Sequence, residues 1–390
     1  MFLIKERFYD TLTQKNRILP YYSKLINSLN NETLYESNNQ KTDKHKKTVS
    51  ISLFPSFLDF NLKNEGLFAL KQIPQEKIIG YAILTQNHKN IESFLKQEYK
   101  KNFRANIKRV LNRLEICFDI EYEMYFGSIT KEKYYVLMTE LKQMLTKRFK
   151  QRGDSTHVLN DWEAYYNSIF NLINKKKASV FVIYANKKII HICVNHHLNN
   201  IIFISIPSYN INYHKFALGN ISIYKLLEWG INNKYNMFDM AYGNLEYKRR
   251  WSNYIYSFKH HIIFDKKNLK QLIISHFEAL IIHTKNILKK YDIDKYIEKF
   301  KNKANKETKY IELPNHIIET EFDFDIIFFS EINILKNEIL EILVCNFLYS
   351  SKENIKNIKL MKNENNKEIL ILGETAKCKI IFDKYLDLNI

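Results

Sequence analysis

The side chains whose types and spacing suit chemistry lie between residues 201 and 251. IIFISIPSYN (201–210) reads as a strand that runs into Pro207, and proline has no N–H to give to a ladder. Pairing is expected to fail there, so the strand should bulge or splay from its neighbour. The loop Ser208–Leu218 then delivers Gly219 and Asn220 to the start of a helix. The first amides of a helix lack intrahelical partners and lie at the positive end of its dipole. Gly219, with no Cβ in the way, suits a pyrophosphate there, with Ser208, Lys215 and Asn220 as further contacts. A strand over 236–240 carries Asp239 to its C-terminal end beside the same gap, where ligands of open sheets collect. Asp239 has a structural alternative, a buried acceptor that holds the 243–250 loop.

Other chemistries lack their carriers. His191, His196 and His197 share one strand, but neighbouring strand residues point to opposite faces, and no carboxylate or thiol completes a ligand set. The same holds for His260 and His261, so no metal is expected. Cys117, Cys193, Cys345 and Cys378 form no CxxC pair, which gives neither a zinc site nor a disulfide framework. There is no G-x-S-x-G, no Walker loop and no G-x-G-x-x-G, the carriers of hydrolase, NTPase and dehydrogenase readings.

The elements that must position the 201–251 residues follow from the pattern. Strands at 179–184, 188–197 and 201–206, joined by Asn-containing turns, predict an antiparallel meander. A helix from Gly219 to Trp229, capped by Gly230, leads to the Asp239 strand, and a last strand spans 255–264. Upstream, residues 1–48 read as helical and end in the polar run Asn38–Lys47. A strand at 48–54 and a hairpin of 66–72 with 77–86 around Pro74 come next. A long helix then spans 91–117, a strand 119–126, and helices 130–151 and 160–174. Downstream, Leu269, Leu272, Ile273, Phe277, Leu280, Ile281, Ile287 and Leu288 fall near helical spacing. A Lys-rich linker (299–309), a strand (323–329), a helix (332–349) and a hairpin near 368–382 complete the chain. The pattern is α+β, with units at 1–125, 126–265, 266–309 (helix and linker) and 310–390.

The chain has 390 residues and a formal charge of +18, and 45% of it is hydrophobic. That is enough apolar surface for a folded protein of two or three domains. Basicity rests on 51 Lys against 9 Arg, which fits an anionic ligand but is weak evidence for nucleic acid. No stretch reaches the ~18 uninterrupted apolar residues of a membrane span. The N-terminus MFLIKERFYD has no h-region, which together with the unpaired cysteines predicts a cytoplasmic protein.

FALGNISIYKLLEWGINNKYNMFDMAYGNLEYKRRW (216–251) resembles the signature segment of the GNAT-like acyltransferases of the CelD and Fem-type group. The likeness falls on Gly219, Gly230, Asp239, Gly243, Tyr247, Lys248 and Trp251. YKKNFRANIKRVLNRLE (99–115) resembles the group's basic helix, and KRFKQRG (147–153) its later Arg-Gly segment. The resemblance covers about 50–264. It implies tandem GNAT folds with mixed, largely antiparallel central sheets flanked by helices, the first copy degenerate, beside a small C-terminal α+β unit. It also implies acyl transfer from a thioester, acetyl-CoA or another acyl-CoA, to an amine on a small or glycan-linked acceptor. In Fem-type relatives the donor is aminoacyl-tRNA, so tRNA is an alternative partner. A non-catalytic RNA- or glycan-binding protein on the same fold is a third reading, motivated by a phosphate loop with a single clear glycine.

Roles follow from the reaction. An amine must lose its proton before attack, which suits Asp239 as general base. The thioester oxygen gains charge, which backbone amides near 205–208 could stabilise. Tyr247 is placed by the sequence to give the departing thiolate a proton. Arg104, Arg109, Arg152, Lys248 and Arg249 are candidate grips for an anionic substrate, although the basic stripe on 99–115 could equally face water.

Overall fold

The computed structural model describes residues 3–13, 21–37, 47–86, 88–153, 156–292, 316–323, 328–333 and 337–383. The chain starts with strand β1 (Leu3–Arg7), a short helix α1 (Phe8–Thr13), and strands β2 (Tyr22–Asn27), β3 (Glu32–Glu36), β4 (Thr48–Pro55) and β5 (Leu58–Leu62). This corrects the helical reading of residues 1–48. The apolar residues there serve strands: β2 pairs antiparallel with β3 and β5 in a three-stranded sheet, and sends Tyr22 and Leu25 into a core with Phe54 and Phe57. The polar run 38–47 lies outside the described residues except for Lys47.

The hairpin expected around Pro74 is also corrected. Residues Phe68–Leu84 form one strand, β6, that passes through Lys77 at a φ of 56°. The helix expected over 91–117 divides into α2 (Ile91–Glu98) and α3 (Lys101–Cys117), with Tyr99 extended between them. Leaving the helix lets Tyr99 stack on Phe103, pack edge-on to Trp251 and donate its hydroxyl to the Trp251 carbonyl at 2.5 Å.

Next come β7 (Ile120–Tyr125) and helices α4 (Lys131–Arg152), α5 (His157–Asn160) and α6 (Trp162–Asn174). The meander follows as the sequence predicts, with β8 (Ala178–Ala185), β9 (Lys188–Leu198) and β10 (Ile201–Tyr209). Its turns use Asn186, Lys187 and Asn199 at positive φ, a conformation Asn tolerates better than most residues. A 3-10 turn (Ile211–Phe216) leads into α7 (Leu218–Asn232), β11 (Met237–Tyr242), α8 (Glu246–Trp251), β12 (Tyr254–Asp265) and α9 (Leu269–Lys290).

Nine of these strands make one mixed sheet in the order β1-β4-β12-β6-β11-β10-β9-β8-β7. β1–β4 and β10–β11 are parallel and the other pairs antiparallel. β12 holds both halves of β6: Lys259 pairs with Pro74 and Ser257 with Ile79, and the register shift between them takes up residues 75–78, so no hairpin forms. The sheet is continuous across the expected boundary at 125/126, since β7 pairs with β8.

α9 follows β12 as the periodicity predicts. Its buried residues, however, are Gln271, Ser275, Glu278 and Ile282, and the apolar stripe faces outward.

The C-terminal part contains β13 (His316–Glu319), β14 (Phe329–Glu331), α10 (Glu338–Ser351), β15 (Lys359–Asn363), β16 (Glu368–Leu372) and β17 (Lys377–Phe382). The strands form a five-stranded antiparallel sheet in the order β13-β17-β16-β15-β14. The expected hairpin near 368–382 is β16–β17. The expected helix begins at Glu338 behind an Asn337 cap, not at Ile332. The linker 299–309 and most of the strand expected at 323–329 lie outside the described residues. α10 packs against the 3-10 turn and α3, and Tyr349 meets Phe216 edge-on.

Candidate functional site

β10 and β11 separate inside the sheet. They pair in parallel only over Ile201–Phe203 and Met237–Asp239, and then diverge. β10 meanwhile stays paired to β9 out to Tyr209, with Pro207 opposite Cys193 and a bulge between Ile204 and Ile206. The splay is therefore real but starts before Pro207, and the strand that departs is β11. Beyond Phe203 one edge of β10 has no strand partner among the described residues, which leaves backbone amides there able to meet a ligand.

A cavity opens on each side of this fork. The first is lined by Ile204, Pro207 and Tyr209 of β10, Met240, Arg148, His191, Tyr247 and the start of α7 with Gly219. The second is lined by Phe203, Ser205, Asp239, Ala241, Tyr242, Arg7 and Tyr9. Ile204 lines both. Asp239 and Met240 are adjacent on a strand and so point to opposite faces, one into each cavity.

The α7 end of the first cavity suits an anion. Ala217 adopts φ 53°, ψ 42° at the N-cap, and no side chain caps the helix. A Cβ built on Gly219 would meet nothing within 4 Å, so a ligand can approach the backbone closely there. Leu218 and Gly219 are first-turn residues whose amides have no intrahelical carbonyl to bond. Asn220 lines the cavity, but its side-chain oxygen accepts a 2.9 Å bond from the Trp251 indole. Lys215 is exposed on the 3-10 turn, and its neighbour His214 lines the cavity instead. Ser208 is buried away from it, its hydroxyl without a partner among the described residues.

Two groups that sequence reasoning missed or set aside, Arg148 and His191, complete the first cavity together with the expected Tyr247. Arg148 lies over the Tyr209 ring at 4.7 Å and donates to the Pro207 carbonyl at 3.4 Å. It falls inside KRFKQRG, the segment from which Arg152 was the expected grip; Arg152 is exposed above Phe149. His191 is buried, and burial together with the Arg148 charge pushes its pKa down to about 3, so it is neutral at pH 7. Burial raises the Tyr247 phenol to about 12, against the pull of Arg148, so it keeps its proton at neutral pH.

Asp239 is the centre of the second cavity and is 1% exposed. Its carboxylate accepts from Tyr9 at 2.6 Å, from Tyr256 at 2.5 Å and from the Ala241 amide at 2.9 Å. The two phenols also touch each other at 2.8 Å. Burial raises the carboxyl pKa above its ordinary value, while the Tyr256 and Tyr9 bonds, the Ala241 amide and the Lys248 charge pull it down. A base with a raised pKa is better matched to neutral pH than an ordinary carboxylate. Tyr9 and Tyr256 carry no local signal, since they come from α1 and β12.

Lys248 is buried and donates to the Tyr242 carbonyl at 2.6 Å. Burial lowers its pKa to about 8, against the attraction of Asp239. Arg249 is exposed and bonds Asn244 on its own loop. Arg104 and Arg109 lie on α3 and line neither cavity; Arg109 bonds Asn106 of the same helix. The three strand histidines separate as expected: His196 bonds Ser205, while His197 bonds Tyr235 and Ser179.

Residues 101–249 match the family model described as an acetyltransferase (GNAT) domain, and this segment is a domain of that family. No curated protein matches the chain. Among solved structures it is similar to a conserved protein of unknown function from Bacteroides thetaiotaomicron VPI-5482, at 12% identity over 57% of this chain and 72% of that one, with a TM-score of 0.37. It is also similar to FemX, at 7% identity over 46% and 61%, TM-score 0.36. A tandem GNAT protein from the clavulanic acid biosynthesis pathway is similar at 7% identity over 57% and 65%, TM-score 0.29. None of the described helices is long and apolar enough to cross a membrane.

Proposed function

We propose that the protein transfers an acyl group from acyl-CoA, acetyl-CoA first among candidates, to an amine on a small or glycan-linked acceptor. The observation that carries this reading is the fork after Phe203 and Asp239, with an open helix N-terminus on one side and a buried carboxylate on the other. The first cavity takes the donor. Its pyrophosphate rests on the first amides of α7 beside Gly219, with Arg148 near the cavity's polar end. The second cavity takes the acceptor.

In this mechanism the amine nitrogen attacks the thioester carbon from the second cavity and passes a proton to Asp239. The carbonyl oxygen takes up negative charge at the free edge of β10, whose amides stabilise it. The C–S bond breaks, the thiolate takes its proton from Tyr247, and CoA leaves from the α7 side. Tyr9 and Tyr256 hold the carboxylate in place. The half up to residue 125 serves as the degenerate partner copy, contributing Arg7 and Tyr9 to the acceptor side, and the protein works in the cytoplasm.

Thermal melting with acetyl-CoA, free CoA and bulk tRNA at two salt concentrations tests the reading. A ligand at 100 times its Kd adds about 2.7 kcal/mol, a visible rise. A rise with acetyl-CoA that survives salt supports it. A rise only with tRNA, lost at high salt, replaces it with an aminoacyl-tRNA donor or an RNA-binding role.

A further inference from the structure

α9 is turned inside out. Its buried face is Gln271, Ser275, Glu278 and Ile282. Its outward face shows Ile273 (61% exposed), Phe277 (66%), Leu280 (62%), Ile287 (55%) and, just past its end, Tyr291 (66%). Burying the apolar stripe and wetting the polar one would be the favourable choice for a helix lying on a sheet.

The orientation is pinned by polar contacts. Gln271 accepts from the Asp265 amide at 3.0 Å, and its carbonyl accepts from Thr48 at 3.3 Å. Glu278 accepts from Ser50 at 2.9 Å and pairs with Lys5 at 3.0 Å. Near the far end Asn286 donates to the Pro74 carbonyl at 2.7 Å. Rolling the helix to hide its apolar side would break all of these. The outward face is therefore a fixed, contiguous apolar surface, the kind that marks an interaction site.

Charge decides what covers it. Glu278 is the only carboxylate on the helix and is buried, so the outward side carries Lys270, Lys285 and Lys290 with His276 and His283 and no acid. A second copy of this chain would bring those cations against their own kind. An anionic bilayer surface matches both properties at once, with the apolar side chains entering the headgroup boundary and the lysines attracted to the anionic headgroups.

We propose that α9 is an in-plane membrane anchor that holds the protein on anionic lipid surfaces without crossing them. The proposal does not depend on the acyl-transfer reading.

The test is flotation of the full-length protein with vesicles of phosphatidylcholine alone and of phosphatidylcholine mixed with phosphatidylglycerol. Wild type should float with the mixed vesicles and much less with the neutral ones. The double substitution Phe277→Ser/Leu280→Ser, at exposed positions, should cut that binding at least tenfold at an unchanged melting temperature. Lys285→Ala/Lys290→Ala should weaken it severalfold and flatten its salt dependence. Absence of binding to the mixed vesicles overturns the proposal. So does binding that the Phe277/Leu280 variant retains, which the net charge alone would explain. A dimer in light scattering that this variant abolishes, with no vesicle binding, assigns the face to self-association instead.

Discussion

Glu341 of α10 accepts a 2.8 Å hydrogen bond from the Asn212 side chain, and both residues are buried. The same carboxylate accepts from Lys188 at 2.7 Å. Asn212 sits in the 3-10 turn that hands the chain to α7, so the C-terminal part grips the segment that sets the start of that helix. Losing the carboxylate leaves a buried amide unsatisfied, which costs about 1–3 kcal/mol. Glu341→Ala should lower the melting temperature and raise KM for acetyl-CoA severalfold, with a smaller change in kcat. Unchanged KM in steady-state assays would show that the grip does not reach the donor cavity.

Asp239→Asn removes the proposed base while keeping the shape of the side chain. Tyr9 and Tyr256 can turn one hydroxyl toward each other, so the fold should survive. A lost general base typically costs 10²–10⁴ in rate. The expected result is a fall in kcat of about that size, with acetyl-CoA binding by calorimetry near the wild-type value. Loss of fold by circular dichroism would favour the structural role for this carboxylate.

Gly219→Asp and Gly219→Ala separate space from charge. A Cβ at 219 meets no atom within 4 Å, so alanine does not disturb packing, and position 219 is exposed at the helix start, where aspartate is well tolerated. Both variants should melt like wild type. Asp places a negative charge where the pyrophosphate is expected, so it should abolish donor binding, and Ala should weaken it modestly. Full activity in Gly219→Asp would remove α7 from the donor site.

Lys248 makes a pH-dependent contribution whose sign is fixed. Its folded pKa is near 8 against an ordinary 10.5, so below pH 8 it is charged in both states and its burial cost is fully present. Between about 8 and 10.5 the unfolded chain keeps the proton and the folded chain has lost it, so this group makes folding more favourable as pH rises. The full window is worth up to about 3 kcal/mol. Lys248→Met should remove this slope. Urea unfolding at several pH values across the window should show the variant gaining less with rising pH than wild type.

What the sequence showed was local. The meander, the opening of α7 at Gly219 and Asp239 on its strand all depend on neighbours a few residues away, so turn and cap chemistry exposed them. Tyr9 and Tyr256 reach Asp239 across separations of 230 and 17 residues, and no periodicity encodes that. The fork is similar: Pro207 pointed to the right strand, but where β10 and β11 part depends on β11, placed by tertiary packing. The N-terminal strands read as helix because short apolar segments fit either period until their partners are known. α9 shows the same limit from the other side, since periodicity marks two faces but not which one the sheet's polar groups, Ser50 and Thr48, will claim.

Ile204 lines both cavities at the fork. None of the four cysteines lines either cavity, and burial raises the thiol pKa of all four. On the proposed reading, an acyl group crossing the fork meets no cysteine thiolate, so it is expected to pass from donor to acceptor while both are bound. Steady-state plots would then intersect, with no burst of free CoA when the acceptor is withheld. Residue 204 then becomes a ruler for the proposed transfer, and Ile204→Ala should admit longer acyl chains.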